Sequence, residues 1–152
     1  MAQRSRVSIT RDCHATALRK ASRRLTQLYD EALAPTGLRS TQYAIIGELT
    51  DPTAEPPTLN QLADALVMDR SGLGHSLRPL ERDGLIRLQR SSADRRATQV
   101  VLTDEGRRRF DEAFPLWQRA QRHFAATIGK DAADELRAQL LDIARDERLS
   151  PA

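Results

Sequence analysis

Apolar residues recur every three or four positions through most of this chain, and short apolar runs replace that spacing only between Leu85 and Leu102. From Arg11 to about Ala34, the residues Leu18, Ala21, Leu25, Leu28 and Ala32 form one seam, which predicts a long amphipathic helix. Pro35-Thr36-Gly37 breaks it. A second helix is predicted from Ser40 or Thr41, with Tyr43, Ile45, Ile46 and Leu49 as its apolar positions and Asp51-Pro52 as its stop. Three prolines between Pro52 and Pro57 then predict a stiff loop or short edge strand.

Thr58 is a good N-cap, and Leu59, Leu62, Ala63 and Leu66 follow at helical spacing. After a turn, Asp69 can cap a helix over Arg70 to about Arg82. Its apolar positions Leu73, Leu77 and Leu80 share one face, leaving Arg70, Ser71, Gly74, His75 and Arg78 on the others. Gly84 is placed to end it. Leu85–Arg90 and Ala97–Leu102 read as paired strands around the polar loop Ser91–Arg96. Helix, turn, helix and hairpin together predict a mainly α fold with a small β-hairpin wing, a winged helix-turn-helix.

Beyond the hairpin, Thr103 caps a helix with Asp104 and Glu105 in its first turn, where the helix dipole favours acids. Phe110, Ala113, Trp117, Ala120, Phe124 and Ile128 form its apolar stripe. Pro115 lies inside and is expected to kink or split it. Gly129 ends it. A last helix is predicted from Asp131 to about Arg148, with Leu136, Leu140 and Ile143 on one face. The chain thus divides into an N-terminal arm and helix (residues 1–36), a winged helix-turn-helix (37–102) and C-terminal helices (103–152). The outer segments have no obvious mate in a small domain. They predict a homodimer, since a lone winged module leaves much apolar surface wet.

With 152 residues, 39% hydrophobic content and 4% aromatics, the chain suits one domain with oligomerisation arms better than a large-cored monomer. Net charge is only +3, but Arg70 to Arg109 holds ten arginines against five acidic residues. That excess falls on the helix-turn-helix and hairpin, where a phosphate backbone would demand it. Arginine forks onto the acceptors of guanine and onto phosphate, and serine onto phosphate or a base edge. Arg70, Ser71, His75 and Arg78 are therefore the candidate reading residues, with Gly74 leaving room for close approach. Pro79 has no N–H for the His75 carbonyl and is expected to bend the end of this helix.

Cys13 is the sole cysteine, so no intramolecular disulfide forms, in keeping with a reducing cytoplasm. No apolar run is long enough for a membrane span. Met1–Thr10 is polar and basic, lacks the apolar core of a secretion signal, and reads as a mobile arm. His14, His75 and His123 lack metal-ligand spacing, and no cofactor motif is present. No Gly-rich phosphate loop, nucleophile–base pair or carboxylate dyad supports an enzyme.

Several stretches then point to one family. They are Leu59-Asn60-Gln61-Leu62-Ala63, the run Leu77-Arg78-Pro79-Leu80-Glu81-Arg82-Asp83-Gly84-Leu85-Ile86, the wing Asp94-Arg95-Arg96, and Leu102-Thr103-Asp104-Glu105-Gly106. In order and length nearly the whole chain resembles the MarR family of bacterial transcription regulators. The resemblance implies a triangular homodimer joined by helices from both termini, on double-stranded DNA at a palindromic operator. It implies a recognition helix in the major groove and a wing arginine in the minor groove. Arg96 matches that arginine, Asp94 the acid that orients it, and Arg95 is placed for phosphate. The narrow minor groove concentrates negative potential, which a pre-aimed guanidinium exploits. Asp94 and Arg96 also suit a plain turn-stabilising pair.

Most such proteins are repressors released by a small aromatic or phenolic ligand, or by cysteine oxidation. The ligand reading, extended to acyl thioesters, implies a pocket between the dimer helices and the reading unit. Tyr43 and Trp117 are its candidate walls, with Cys13, His14 and Arg39 as polar or charged neighbours; both aromatics equally suit ordinary core. The redox reading uses Cys13 near a helix N-terminus, beside His14. Tyr29 matches one tyrosine that assists the thiol in the peroxide-sensing branch, but Cys13 falls about two residues early and Ser40 stands where a second tyrosine is expected. Two further classes remain at this stage, a poorly specific DNA-coating protein driven by arginine charge alone and a protein-interaction module with a degenerate winged fold.

Overall fold

A computed structural model describes residues 12–149. The expected mobile arm, Met1–Thr10, lies outside the described residues. Among the described residues, after a helical Asp12, six α-helices and one hairpin follow in order: α1 (His14–Leu33), α2 (Ser40–Gly47), α3 (Leu59–Ala65), α4 (Arg70–Arg82), β1 (Ile86–Arg90), β2 (Thr98–Leu102), α5 (Asp104–Ile128) and α6 (Lys130–Arg145). Short 3-10 turns cover Ala34–Thr36 and Glu147–Leu149. The fold is the winged helix-turn-helix that the periodicity predicts.

Capping explains most boundaries. Thr58 Oγ1 accepts from the Gln61 N–H while Gln61 Oε1 accepts from the Thr58 N–H, a reciprocal box that starts α3. Asp69 Oδ1 accepts from the Gly72 N–H at 2.6 Å to start α4. Thr103 Oγ1 accepts from the Gly106 N–H and donates to the Gly84 carbonyl, so one hydroxyl both starts α5 and ties it to the entry of the wing. Gly37, Gly84 and Gly129 each turn the chain with positive φ after a helix.

Other boundaries depart from the apolar spacing. The predicted first helix is interrupted at Cys13: Asp12 is helical, and His14–Leu33 follows with Cys13 as its N-cap residue. The second ends at Gly47 rather than at Asp51-Pro52, because Leu49 and Thr50 tighten into turns on the carbonyls of Ile46 and Gly47. The last helix stops at Arg145, and a 3-10 turn takes the place of its predicted end. Pro115 does not split α5, which runs unbroken for 25 residues, about 37 Å. Pro79 likewise leaves α4 running on to Arg82.

The core lies under the reading unit. Leu73, Leu77 and Leu80 of α4 are buried against Leu33, Ile45, Ile46, Leu62, Leu85, Ile86 and Val100. Full burial of each such leucine is worth about 2 kcal/mol, which holds the opposite face of α4 out to solvent. The hairpin pairs antiparallel with Leu88 opposite Val100, and Pro57 and Thr58 add a fragment of a third strand beside β2. On the other side α1 packs along α5, and α6 folds back against α5. Here burial is thin. No residue of α6 is buried, and Leu18, Ile128, Leu136, Leu141 and Ile143 are all exposed.

Candidate nucleic-acid interface

The leucine face of α4 fixes what its other faces offer. Arg70, Gly74 and Arg78 are spaced four apart and stack along one stripe; Ser71 and His75 form the next. Arg70, Ser71, His75 and Arg78 are exposed, and Gly74 is half-buried. A Cβ on Gly74 would meet nothing within 4 Å, so the outer surface of the helix is open there.

The wing tip is a built turn. Ser91, buried at its base, accepts through Oγ from the N–H groups of Ala93 and Asp94. Arg90 Nη1 donates to the Arg95 carbonyl at 2.9 Å, and Ala97 N–H donates to the Asp94 carbonyl. Asp94 Oδ1 accepts from the backbone N–H of Arg96 at 2.9 Å. The acid therefore sets the backbone from which Arg96 projects, where the resemblance implied that it would orient the arginine; the guanidinium itself is left free. Arg95 and Arg96 are exposed on this tip.

Tip and helix meet in a cleft of about 300 Å³ whose walls include Asn60, Arg70, Asp94, Arg96 and Thr98. Sequence spacing put Arg70 and Arg96 in different elements and did not pair them. Asn60 and Thr98 were also missed; the available signal was an exposed polar residue just inside the capped start of α3. No carboxylate among the described residues pairs with Arg70, Arg78, Arg95 or Arg96. Several arginines elsewhere are paired with carboxylates: Arg82 with Asp83, Arg108 with Glu105 and Glu112, and Arg109 with Glu105. Arg70 and Arg96 thus bring unpaired positive charge together where α4 and the wing meet.

The residues proposed for sensing do not converge. Tyr43 and Trp117 do share a cavity of about 440 Å³ between α1, α2 and α5, with Tyr29, Phe110 and Phe114. Tyr43 stacks on Phe110 with centroids 4.6 Å apart and lies 6.0 Å from Trp117. Burial, and behind it the Asp111 carboxylate, push the Tyr43 phenol up to about 12. Cys13, His14 and Arg39 are absent from its walls. Arg39 is exposed and held by Asp30 at 3.2 Å. Cys13 sits at the far end of α1, about 24 Å along the helix from Tyr29. Tyr29 instead donates to Gln121 Oε1 at 2.7 Å. Hydrogen bonds from Thr16 hold the Cys13 thiol below its ordinary value, but no tyrosine of the same chain reaches it. Phe110 was legible as part of an apolar stripe, not as a cavity wall, and Phe114 carried no sequence signal.

Among the described residues no group of three or more His, Cys, Asp or Glu is placed to hold a metal, and no helix is long and apolar enough to cross a membrane.

No family model matches the chain. Among characterised proteins it is 31% identical over 123 residues to the transcriptional regulator HosA of Escherichia coli, covering 76% of this chain and 86% of HosA. Among solved structures it superimposes on the transcriptional repressor CouR bound to a 23-mer DNA duplex, with TM-score 0.78, 27% identity and coverage of 91% of this chain and 96% of CouR. CouR from Rhodococcus jostii RHA1 bound to p-coumaroyl-CoA matches in fold at 24% identity and TM-score 0.74, over 89% and 94% of the two chains. AbsC, a MarR family transcriptional regulator from Streptomyces coelicolor, matches at TM-score 0.76 and 26% identity over 95% and 98%.

Proposed function

The chain belongs to the MarR family of winged-helix transcriptional regulators, and from that premise we propose that it acts as a homodimeric repressor of a palindromic operator, released by a small aromatic effector. In this reading residues 37–102 hold the DNA, and residues 1–36 and 103–152 hold the dimer together. Arg70, Ser71, His75 and Arg78 enter the major groove, Gly74 allows close approach, and Arg96, set by Asp94, enters the minor groove beside Arg95 on phosphate.

The observation that carries this reading is the shared cleft of Arg70 and Arg96, two guanidinium groups without carboxylate partners on adjoining elements. Free guanidinium groups of this kind suit the phosphates and base edges of a groove. The exposed apolar residues of α1, α5 and α6 support the dimer, since one chain leaves Leu18, Ile128, Leu136, Leu141 and Ile143 wet. Two copies place two recognition helices about one duplex turn apart. The likeness to CouR, a transcriptional repressor bound to a DNA duplex, supports the direction of control.

Selection of bound DNA from a random pool tests the proposal. The expected result is an inverted repeat that outcompetes scrambled DNA as salt rises, because sequence contacts survive screening and pure charge attraction does not. A monomer in solution, or equal competition by scrambled DNA at moderate salt, overturns it.

A further inference from the structure

The cavity between α1, α2 and α5 carries a charge pattern opposite to what an aromatic acid would need. Tyr29, Tyr43, Phe110, Phe114 and Trp117 line it, and its one acidic wall residue is Glu48; no Arg, Lys or His takes part. Four of the rings form one ladder, Phe110 on Tyr43, Tyr43 near Trp117, and Trp117 near Phe114 at 5.7 Å. Glu48 caps the C-terminal end of α2, where the helix dipole is already negative and a carboxylate gains nothing from its own helix. Its carboxylate has no hydrogen bond or ion pair among the described residues. A second carboxylate without a salt-bridge partner, Asp111, is close enough to act on Tyr43. Arg39, the nearest candidate counter-charge from the sequence, is held by Asp30 outside the cavity.

We propose that this cavity binds an organic cation, an ammonium or amidinium group on a compact apolar or aromatic body. Aromatic rings attract cations through their quadrupole, and the attraction grows as water is excluded. Glu48 supplies the opposite charge, and a bound cation relieves its clash with the end of α2. An aromatic carboxylate would meet the same Glu48 with no guanidinium to pair with. A volume of about 440 Å³ admits a small organic molecule. The proposal narrows the effector of the preceding section and rests on that reading only for the release of DNA; occupancy is read separately.

Trp117 is the only tryptophan in the chain and lines this cavity as well as a larger hollow between α1, α5 and α6. Its fluorescence therefore reports a guest in either, and the Glu48 variant, at a residue of this cavity and not of that hollow, tells the two apart. The full-length protein is titrated with benzyltrimethylammonium, phenylacetate and benzyl alcohol, three probes sharing one ring and differing in charge. The cation is expected to bind at least about ten-fold more tightly than phenylacetate. Glu48→Gln, at an exposed position and checked for unchanged helical content, is expected to weaken the cation about ten-fold and leave benzyl alcohol unchanged. Phenylacetate binding as tightly as the cation, no saturable cation binding, or an unmoved cation isotherm in Glu48→Gln each overturns the proposal. DNA affinity is followed in the same samples. A cation that saturates the cavity while DNA stays bound supports the cation site and removes the effector reading.

Discussion

Gly106 lies so close to the backbone of Leu85 that a Cβ placed on it would stand 2.1 Å from the Leu85 carbonyl oxygen and 2.6 Å from a Leu102 methyl. Leu85 leads into the wing and Leu102 closes it, so this contact seats α5 on the root of the hairpin. Backbone cannot give way as a side chain does. Gly106→Ala is expected to cost about 3 kcal/mol of stability and to weaken DNA binding by displacing the wing. Denaturant unfolding alongside operator titration checks both; an unchanged unfolding midpoint would show that the contact is slack.

Gly74 is the opposite case, a helix-interior glycine with open space around it. Gly74→Ala is expected to stabilise α4 by about 0.5–1 kcal/mol while lowering operator affinity, because the added methyl stands where the helix approaches DNA. Thermal melts and binding isotherms should therefore move in opposite directions.

Arg96→Ala is expected to weaken operator binding about ten-fold or more, the worth of one good contact. Asp94→Ala, which removes the bond to the Arg96 N–H, is expected to cost less, since the guanidinium is still present on a looser turn. Equal losses in the two variants would mean that the Arg96 contact depends wholly on that bond.

Val67 carries a φ of 51° in the turn between α3 and α4, a conformation that β-branched residues disfavour. Its side chain is 69% exposed and gains little from packing. Val67→Gly is expected to raise stability by about 0.5–1 kcal/mol, the relief of strain less the added freedom of the unfolded chain. Chemical denaturation measures it, and a loss of stability would show that Val67 is packed by the duplex-facing turn.

The Cys13 thiol is held below its ordinary value first by the Thr16 hydroxyl. A lowered value means more thiolate at a given pH, so the alkylation rate of Cys13 is expected to reach half its maximum at lower pH than a free thiol does. Thr16→Val is expected to move that midpoint upward. Coincident profiles for the two proteins would discard the hydrogen bond as the cause.

Local chemistry made the reading unit legible from sequence. Thr58, Asp69 and Thr103 each cap the helix they were expected to cap, and Leu73, Leu77 and Leu80 point inward together. Periodicity misplaced ends that depend on turns, as at Gly47 and Arg145, because 3-10 turns finish a helix without any apolar signal. Pro115, expected to kink or split α5, does not split it. Cavity membership was the least legible property. The resemblance grouped Tyr43 and Trp117 with Cys13, His14 and Arg39; the first two share a cavity in one chain, while Cys13 and His14 sit at the far end of a 20-residue helix and Arg39 lies outside its walls. Glu48 carries no sequence signal and borders the rings because α2 ends beside them.

Phe110, a wall of the aromatic cavity, lies four residues beyond Gly106 on the same unbroken helix. A single turn spans about 6 Å and has no room to flex. Any guest that shoulders α5 aside at Phe110 must also carry the hairpin's footing with it, so filling the hollow and tilting the wing amount to one rigid displacement of a shared rod.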